Sequence, residues 1–282
     1  MTMTPDIPAL PGARQGVTSN GVPFVALPPE GAKEARGLVL MWHGADPPRT
    51  EEALAAAVPM RELPAWRVYL GMPGHGQRSL TGGLEESMRL GVQDAVTLLF
   101  YPRIEGAVAE LPGAVGDLRA RLGIDPALPL GVFGFSQGGA TALLALSRHL
   151  LPFKAAATFG AVIDLPALVN TLASFFGTSY EWTDERRALA EHLSTVHRAR
   201  ALAGSGAAVL LCVGVEDPLP TREPAERLAA AIRAEGGRAE VRIVPNVAHA
   251  FVDEPGERAA PQGPQARAID EFLSGWFSSH LT

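Results

Sequence analysis

The sequence predicts an α/β fold: a three-layer α/β/α sandwich around a mostly parallel sheet, with antiparallel strands at its N-terminal edge. Three observations predict it. Short, continuous apolar runs recur along the chain, as expected of strands covered on both faces. Helix-like stretches fill the gaps between them, which implies parallel pairing through right-handed crossovers. The first strand-like stretch instead carries a hairpin dipeptide, Asn20-Gly21.

Taken in order, residues 15–27 read as that hairpin. The apolar runs that follow are 37–42 (GLVLMW), Trp66–Leu70 (WRVYL), Leu130–Phe135 (LGVFGF), 155–163, 207–215 and 240–244. Leu111, Val115, Leu118 and Leu122 fall at i, i+4, i+7 and i+11, one stripe of a helix, and Gly123 sits where a left-handed terminating residue is favoured. Residues 140–151 are rich in Ala and Leu and stop before Pro152. Leu228, Ala231, Ile232 and Glu235 precede Gly236-Gly237, and 265–277 closes the chain with Ile269, Phe272, Leu273 and Trp276 on a last helix. One domain over 1–282 is expected, with 164–200 as a small lid or pocket-forming insertion between two strands.

Composition removes several classes of function. Of the 282 residues, 47% are hydrophobic and 19% charged, so the chain is not a disordered one. Lys+Arg total 24 against 30 Asp+Glu, a formal charge of −6 with no basic run, which disfavours nucleic acid and anionic membrane as partners. The single cysteine, Cys212, rules out an internal disulfide and a cysteine-based zinc cluster, and mid-strand it reads as a small core residue. The opening MTMTPDIPALPG has neither a basic nor an apolar signal segment, and no apolar run approaches the roughly 20 residues of a membrane span. A cytoplasmic protein without a membrane span is therefore expected.

Parallel α/β sheets put their ligands at the carboxyl ends of the strands. Those ends here are His43-Gly44-Ala45-Asp46, 71–76 (GMPGHG), 134–139 (GFSQGG), Asp164, Glu216-Asp217 and the loop up to His249. The informative one is Gly134-Phe135-Ser136-Gln137-Gly138. It fits G-x-S-x-G, follows an apolar run and leads into a helical stretch, the context of a nucleophile elbow. Such a turn lifts the Ser136 hydroxyl out of the sheet and aims the Gln137 N–H and the helix N-terminus at the place where an oxyanion would form.

A serine hydroxyl needs a base. His149, His192 and His197 lie in helix-like stretches, His280 in the tail, and His43 and His75 precede Ser136; His249 follows the last strand in a loop able to reach back over the sheet. It is the favoured base. The acid that would hold its tautomer is Asp217, which ends an apolar run before Pro218; Glu216 beside it and Asp164 after the preceding strand are alternatives. The order Ser136, Asp217, His249 is the one that accompanies this elbow. No zinc pattern and no phosphate loop is present, and the chemistry needs no metal or organic cofactor.

With LVLMWHG, GMPGHGQRS, GVFGFSQGGA, VLLCVGVEDPLP and NVAHAF, the chain resembles an α/β-hydrolase from about Gly37 to the C-terminus. GFSQGGA is similar to the elbow of carboxylesterases and acyl-protein thioesterases, and the layout around LGID (122–125) resembles dienelactone-hydrolase-like and prolyl-oligopeptidase-like esterases. The resemblance implies Ser136 as nucleophile, His249 as base, Asp217 as acid, and a second oxyanion donor after the His43-Gly44 strand end, the N–H of Ala45. The sequence departs from the HGGG lipases in having HGAD there, and a serine at the elbow argues against dehalogenases and epoxide hydrolases, which carry aspartate. The expected activity is hydrolysis of a small-molecule carboxylic ester through an acyl-enzyme. A peptidase, a thioesterase or a non-catalytic ligand-binding relative is the alternative. Phe175, Phe176, Tyr180 and Trp182 cluster in a chain only 6% aromatic and are candidates for an apolar substrate wall.

Overall fold

A computed structural model describes residues 10–31 and 34–281. Most of the N-terminal stretch examined for a targeting signal, residues 1–9, lies outside them. One sheet runs through the molecule. Its strands in chain order are β1 (Arg14–Val17), β2 (Pro23–Leu27), β3 (Leu38–Trp42), β4 (Trp66–Leu70), β5 (Leu130–Phe135), β6 (Phe153–Phe159), β7 (Ala208–Gly214) and β8 (Arg238–Val244), arranged β1-β2-β4-β3-β5-β6-β7-β8. The β1–β2 hairpin and the β2–β4 pair are antiparallel, and every other pairing is parallel. The expected mostly parallel sheet with an antiparallel N-terminal edge is the sheet observed.

The helices are α1 (Glu51–Ala57), α2 (Gly83–Asp94), α3 (Tyr101–Leu122), α4 (Gln137–Ser147), α5 (Leu165–Phe175), α6 (Asp184–Leu193), α7 (Ala199–Gly204), α8 (Arg222–Ala234) and α9 (Pro264–His280), with a π-helical stretch, Ala95–Phe100, joining α2 to α3. Successive side chains of a strand point to opposite faces, so a strand buried throughout needs cover on both. β3 shows the consequence. Leu38, Leu40 and Trp42 belong to the core that includes Leu111, Val115 and Leu118 of α3 and the buried face of α4, while Val39 and Met41 belong, on the other face, to the core that includes Leu54 of α1 and Ile269, Leu273 and Phe277 of α9. The stripe anticipated in α3 is the buried one, and Gly123 closes that helix at φ 67°.

Two expected boundaries move. The strand expected over 155–163 stops at Phe159, because Gly160 turns at φ +54° and residues 161–163 then cross the elbow, with the Val162 N–H donating to the Ser136 carbonyl. The helix expected over 140–151 begins at Gln137, directly after the elbow, and ends at Ser147. His149 consequently lies in a turn rather than a helix, and His197 lies in the turn between α6 and α7.

Strand β5 can pass into α4 only through glycines. A Cβ on Gly134 would stand 2.0 Å from the Gly138 carbonyl oxygen, and one on Gly138 2.5 Å from that of His43. Both obstacles are backbone and cannot swing aside. Gly134→Ala is therefore expected to lower stability by about 3 kcal/mol or more, read as a drop in the urea midpoint; an unchanged midpoint would show that the turn can relax.

Candidate active site

The parallel registers bring the carboxyl ends of β3, β5, β6 and β7 to one edge of the sheet, and the sharp turn after β5 stands at its centre. Ser136 occupies that turn at φ 54°, ψ −119°, a conformation side chains rarely adopt. Backbone bonds hold it there: its N–H donates to the Phe159 carbonyl, and its own carbonyl accepts from Gly139, Ala140 and Val162.

His249, on the loop after β8, meets it. The Ser136 Oγ lies 3.0 Å from His249 Nε2, and His249 Nδ1 lies 2.9 Å from Asp217 Oδ2. Asp217 accepts two further bonds, from the Thr221 hydroxyl at Oδ2 (2.8 Å) and the Leu219 N–H at Oδ1 (2.9 Å). A carboxylate so surrounded by donors fixes the proton on Nδ1 and leaves the Nε2 lone pair facing the hydroxyl. The imidazole packs against Gly160, where a Cβ would come within 2.9 Å of the ring, and Phe135 supports it with ring centres 5.2 Å apart. The alternatives separate spatially. Asp164 caps α5 and pairs with Arg227, and Glu216 is exposed; Asp46 approaches His249 Nε2 no closer than 3.7 Å.

Gln137 is the first residue of α4, whose N–H has no acceptor within the helix. Ala45 follows β3 with its carbonyl held by Arg49 Nε at 2.9 Å. Both residues line, with Ser136, a cavity of about 570 Å³. Its walls are mainly apolar: Leu84, Met88 and Val92 of α2, Leu99 and Phe100 of the π-helical stretch, and Leu168, Leu172 and Phe176 from the region of α5. A smaller cavity of about 380 Å³, under the 250–265 loop, does not reach Ser136. Of the four aromatic candidates, Phe176 and Tyr180 line the larger cavity and Phe175 and Trp182 do not. Successive residues leave a helix about 100° apart; Phe175 and Phe176 are both largely exposed, and only Phe176 also borders the cavity. Trp182 instead packs edge-on against Tyr180 and donates to Asn170 Oδ1.

A search of protein families matches residues 120–279, more than half of the chain, to the prolyl oligopeptidase family. The chain belongs to the prolyl oligopeptidase family. It is thereby a serine hydrolase of the α/β-hydrolase fold. Solved structures of the same fold include TT1662 from Thermus thermophilus (21% identity, 94% of this chain and 98% of that one, TM-score 0.64). A Mycobacterium tuberculosis puromycin-hydrolyzing peptidase is similar over 100% of this chain but 42% of its own (19% identity, TM-score 0.65). A thermostable carboxyl esterase from Bacillus coagulans is similar over 96% of this chain and 98% of its own (13% identity, TM-score 0.62). At these identities the likeness is one of fold. No curated protein sequence matches the chain. Among the described residues no helix is long and apolar enough to cross a membrane.

Sequence reasoning passed over several groups around the cavity of this prolyl oligopeptidase family member. Leu84, Met88 and Val92 sit at i, i+4 and i+8, a legible stripe that faces the cavity mouth instead of the core. Asp94 caps the π-helical stretch through the Thr97 N–H and also accepts from Tyr180 Oη and, at 2.8 Å, from Arg186 Nε. It thus ties the stretch 178–186 to the opposite wall. π-Helical turns gather at functional sites, and this one supplies Ala95, Leu99 and Phe100 to the lining.

Two buried histidines stand beneath Gln137. The Met72 N–H donates to His43 Nε2 at 3.1 Å, so His43 carries its proton on Nδ1 and donates it to the Gly44 carbonyl. His75 Nδ1 faces the Pro73 carbonyl and must likewise hold the proton, so its Nε2 accepts from the Gln137 side-chain amide at 3.1 Å. That bond holds the side chain of Gln137, which lines the cavity beside Ser136. Burial, aided by the Arg103 charge, pulls His43 down to about 4 and His75 well below its usual value. Unfolded, both rings would take a proton below about 6.5, whereas the folded state refuses one until about 4 at His43. Between these pH values the unfolded chain holds the extra proton, so the ring's contribution to stability, roughly 3 kcal/mol, is present above 6.5 and lost on acidification. The His43 ring resonance should titrate with a midpoint near 4 by NMR; a midpoint above 6 would overturn the neutral assignment.

Proposed function

We propose that Ser136, His249 and Asp217 act as a catalytic triad and that the protein hydrolyses small carboxylic esters through an acyl-enzyme. The observation that carries this reading is the unbroken bond path from the Ser136 hydroxyl through His249 to Asp217, opening onto an apolar cavity of about 570 Å³. His249 takes the hydroxyl proton as Oγ attacks the carbonyl. The N–H groups of Gln137 and Ala45 receive the negative charge on the carbonyl oxygen, and Asp217 stabilises the imidazolium. The imidazolium returns its proton to the departing alkoxide. Water then enters by the same route and releases the acid. A cavity of this size suits a small organic molecule, and Phe176 and Tyr180 offer an apolar wall to its non-reacting end.

Cleavage of peptide bonds is the second reading, favoured by the family to which the chain belongs. Two measurements separate the possibilities. A fluorophosphonate should label Ser136 alone, found by peptide mass spectrometry, and labelling at another residue would move the nucleophile. On an oxyester, a thioester and an anilide of equal acyl length, kcat/KM should be highest for the oxyester. An anilide turned over as fast as the oxyester would favour the peptidase.

A further inference from the structure

We propose that Arg103 is a carboxylate-binding residue of the substrate cavity, so that the favoured ester carries a free carboxylate; this rests on reading Ser136 as the nucleophile of the same cavity. Arg103 projects from α3 into the lining with only 5% of its surface exposed. Among the described residues, its one hydrogen bond is from Nη2 to the Ser87 hydroxyl, at 2.7 Å. Among the described residues it has no acidic partner. Gly74 makes room for the guanidinium, since a Cβ there would fall 2.8 Å from Nε.

A buried guanidinium is costly unless its charge is answered and its donors are used. Arg67 and Arg49 show how charge is answered elsewhere among the described residues. Arg67, fully buried, donates to the carbonyls of Pro59, Leu63 and Ala65 and faces Glu30 at 3.7 Å. Arg49, the other cation of the cavity, is engaged by Glu254. Of the two cations lining the cavity, Arg103 is the one without an acidic partner among the described residues. The acid on that lining, Asp46, is half exposed and makes no ion pair with it. The neighbouring His43 and His75 rings are neutral and offer no countercharge. Burial pulls Arg103 down to about 10, which still leaves it charged at neutral pH. A planar carboxylate matches the fork of donors that remains.

Two pairs of esters test this. p-Nitrophenyl hemiglutarate against p-nitrophenyl methyl glutarate puts the charge on the acyl side, and 4-acetoxybenzoate against methyl 4-acetoxybenzoate puts it on the leaving group. In at least one pair, the ratio of kcat/KM for the anionic over the neutral ester should fall about ten- to a hundredfold in Arg103→Met. Arg103→Lys, which keeps the charge and spares the fold should the methionine variant fail to fold, should retain part of the ratio. The responding pair identifies the side that binds. Calorimetry of glutarate with Ser136→Ala should show binding that Arg103→Lys weakens. Ratios unchanged by both substitutions, with no Arg103-dependent glutarate binding, would overturn the proposal even if neutral esters are cleaved. Arg103-dependent glutarate binding without cleavage of any ester would instead support the carboxylate site and remove the nucleophile reading.

Discussion

Ser136→Ala should lose about 10⁶-fold in kcat on any ester the protein turns over, the scale set by removing the nucleophile of a serine hydrolase. The fold should be untouched. Every bond that holds the elbow is a backbone bond: the Ser136 N–H to Phe159, and its carbonyl to Gly139, Ala140 and Val162. The side chain gives up only its bond to His249 Nε2. Alanine tolerates φ 54° about as badly as serine does, so the strain is common to both proteins. Melting temperature and substrate affinity should therefore stay close to those of the unsubstituted protein while turnover vanishes. Adding His249→Ala to Ser136→Ala should cost almost nothing further, because a base without its nucleophile has no work left to do. Turnover surviving in Ser136→Ala would place the nucleophile elsewhere.

The same residue shows how far the sequence could be read. Glycine on either side of Phe135-Ser136-Gln137 is a requirement of close backbone approach, and such requirements are written in residue identity. Strands β3, β4 and β5 were legible because burial on both faces leaves continuous apolar runs. The end of β6 was not, because Ala161, Val162 and Ile163 remain apolar after the strand has stopped; they are buried over the elbow instead of in the sheet. Helix α1 is short and almost wholly buried, so it shows no polar face and no period. Arg103 was invisible for a different reason. On paper an arginine in a helix is a solvent-facing residue, and only the cavity formed by α2, the π-helical stretch and α5 turns this one inward. Phe175 and Phe176 differ by a single step around a helix end, which composition cannot resolve.

Asp217→Asn should lower kcat by about 10⁴-fold while leaving the backbone in place, the scale for a triad acid exchanged for its amide. Both oxygens of Asp217 accept, and an asparagine must put an NH₂ where one of them stands. At the Oδ1 position the amide would face the Leu219 N–H, donor against donor. Placing it at the Oδ2 position is easier, because the Thr221 hydroxyl can rotate and accept. There it meets His249 Nδ1, which must then give up its proton and accept. The proton moves to Nε2, the atom facing Ser136 Oγ, and the imidazole can no longer take the hydroxyl's proton. The loss should therefore fall on kcat, with KM little changed. Fluorophosphonate labelling of Ser136, which draws on the same base, should slow in proportion. Asp217→Asn activity within tenfold of the parent would mean that Asp217 is not the group that fixes the His249 tautomer.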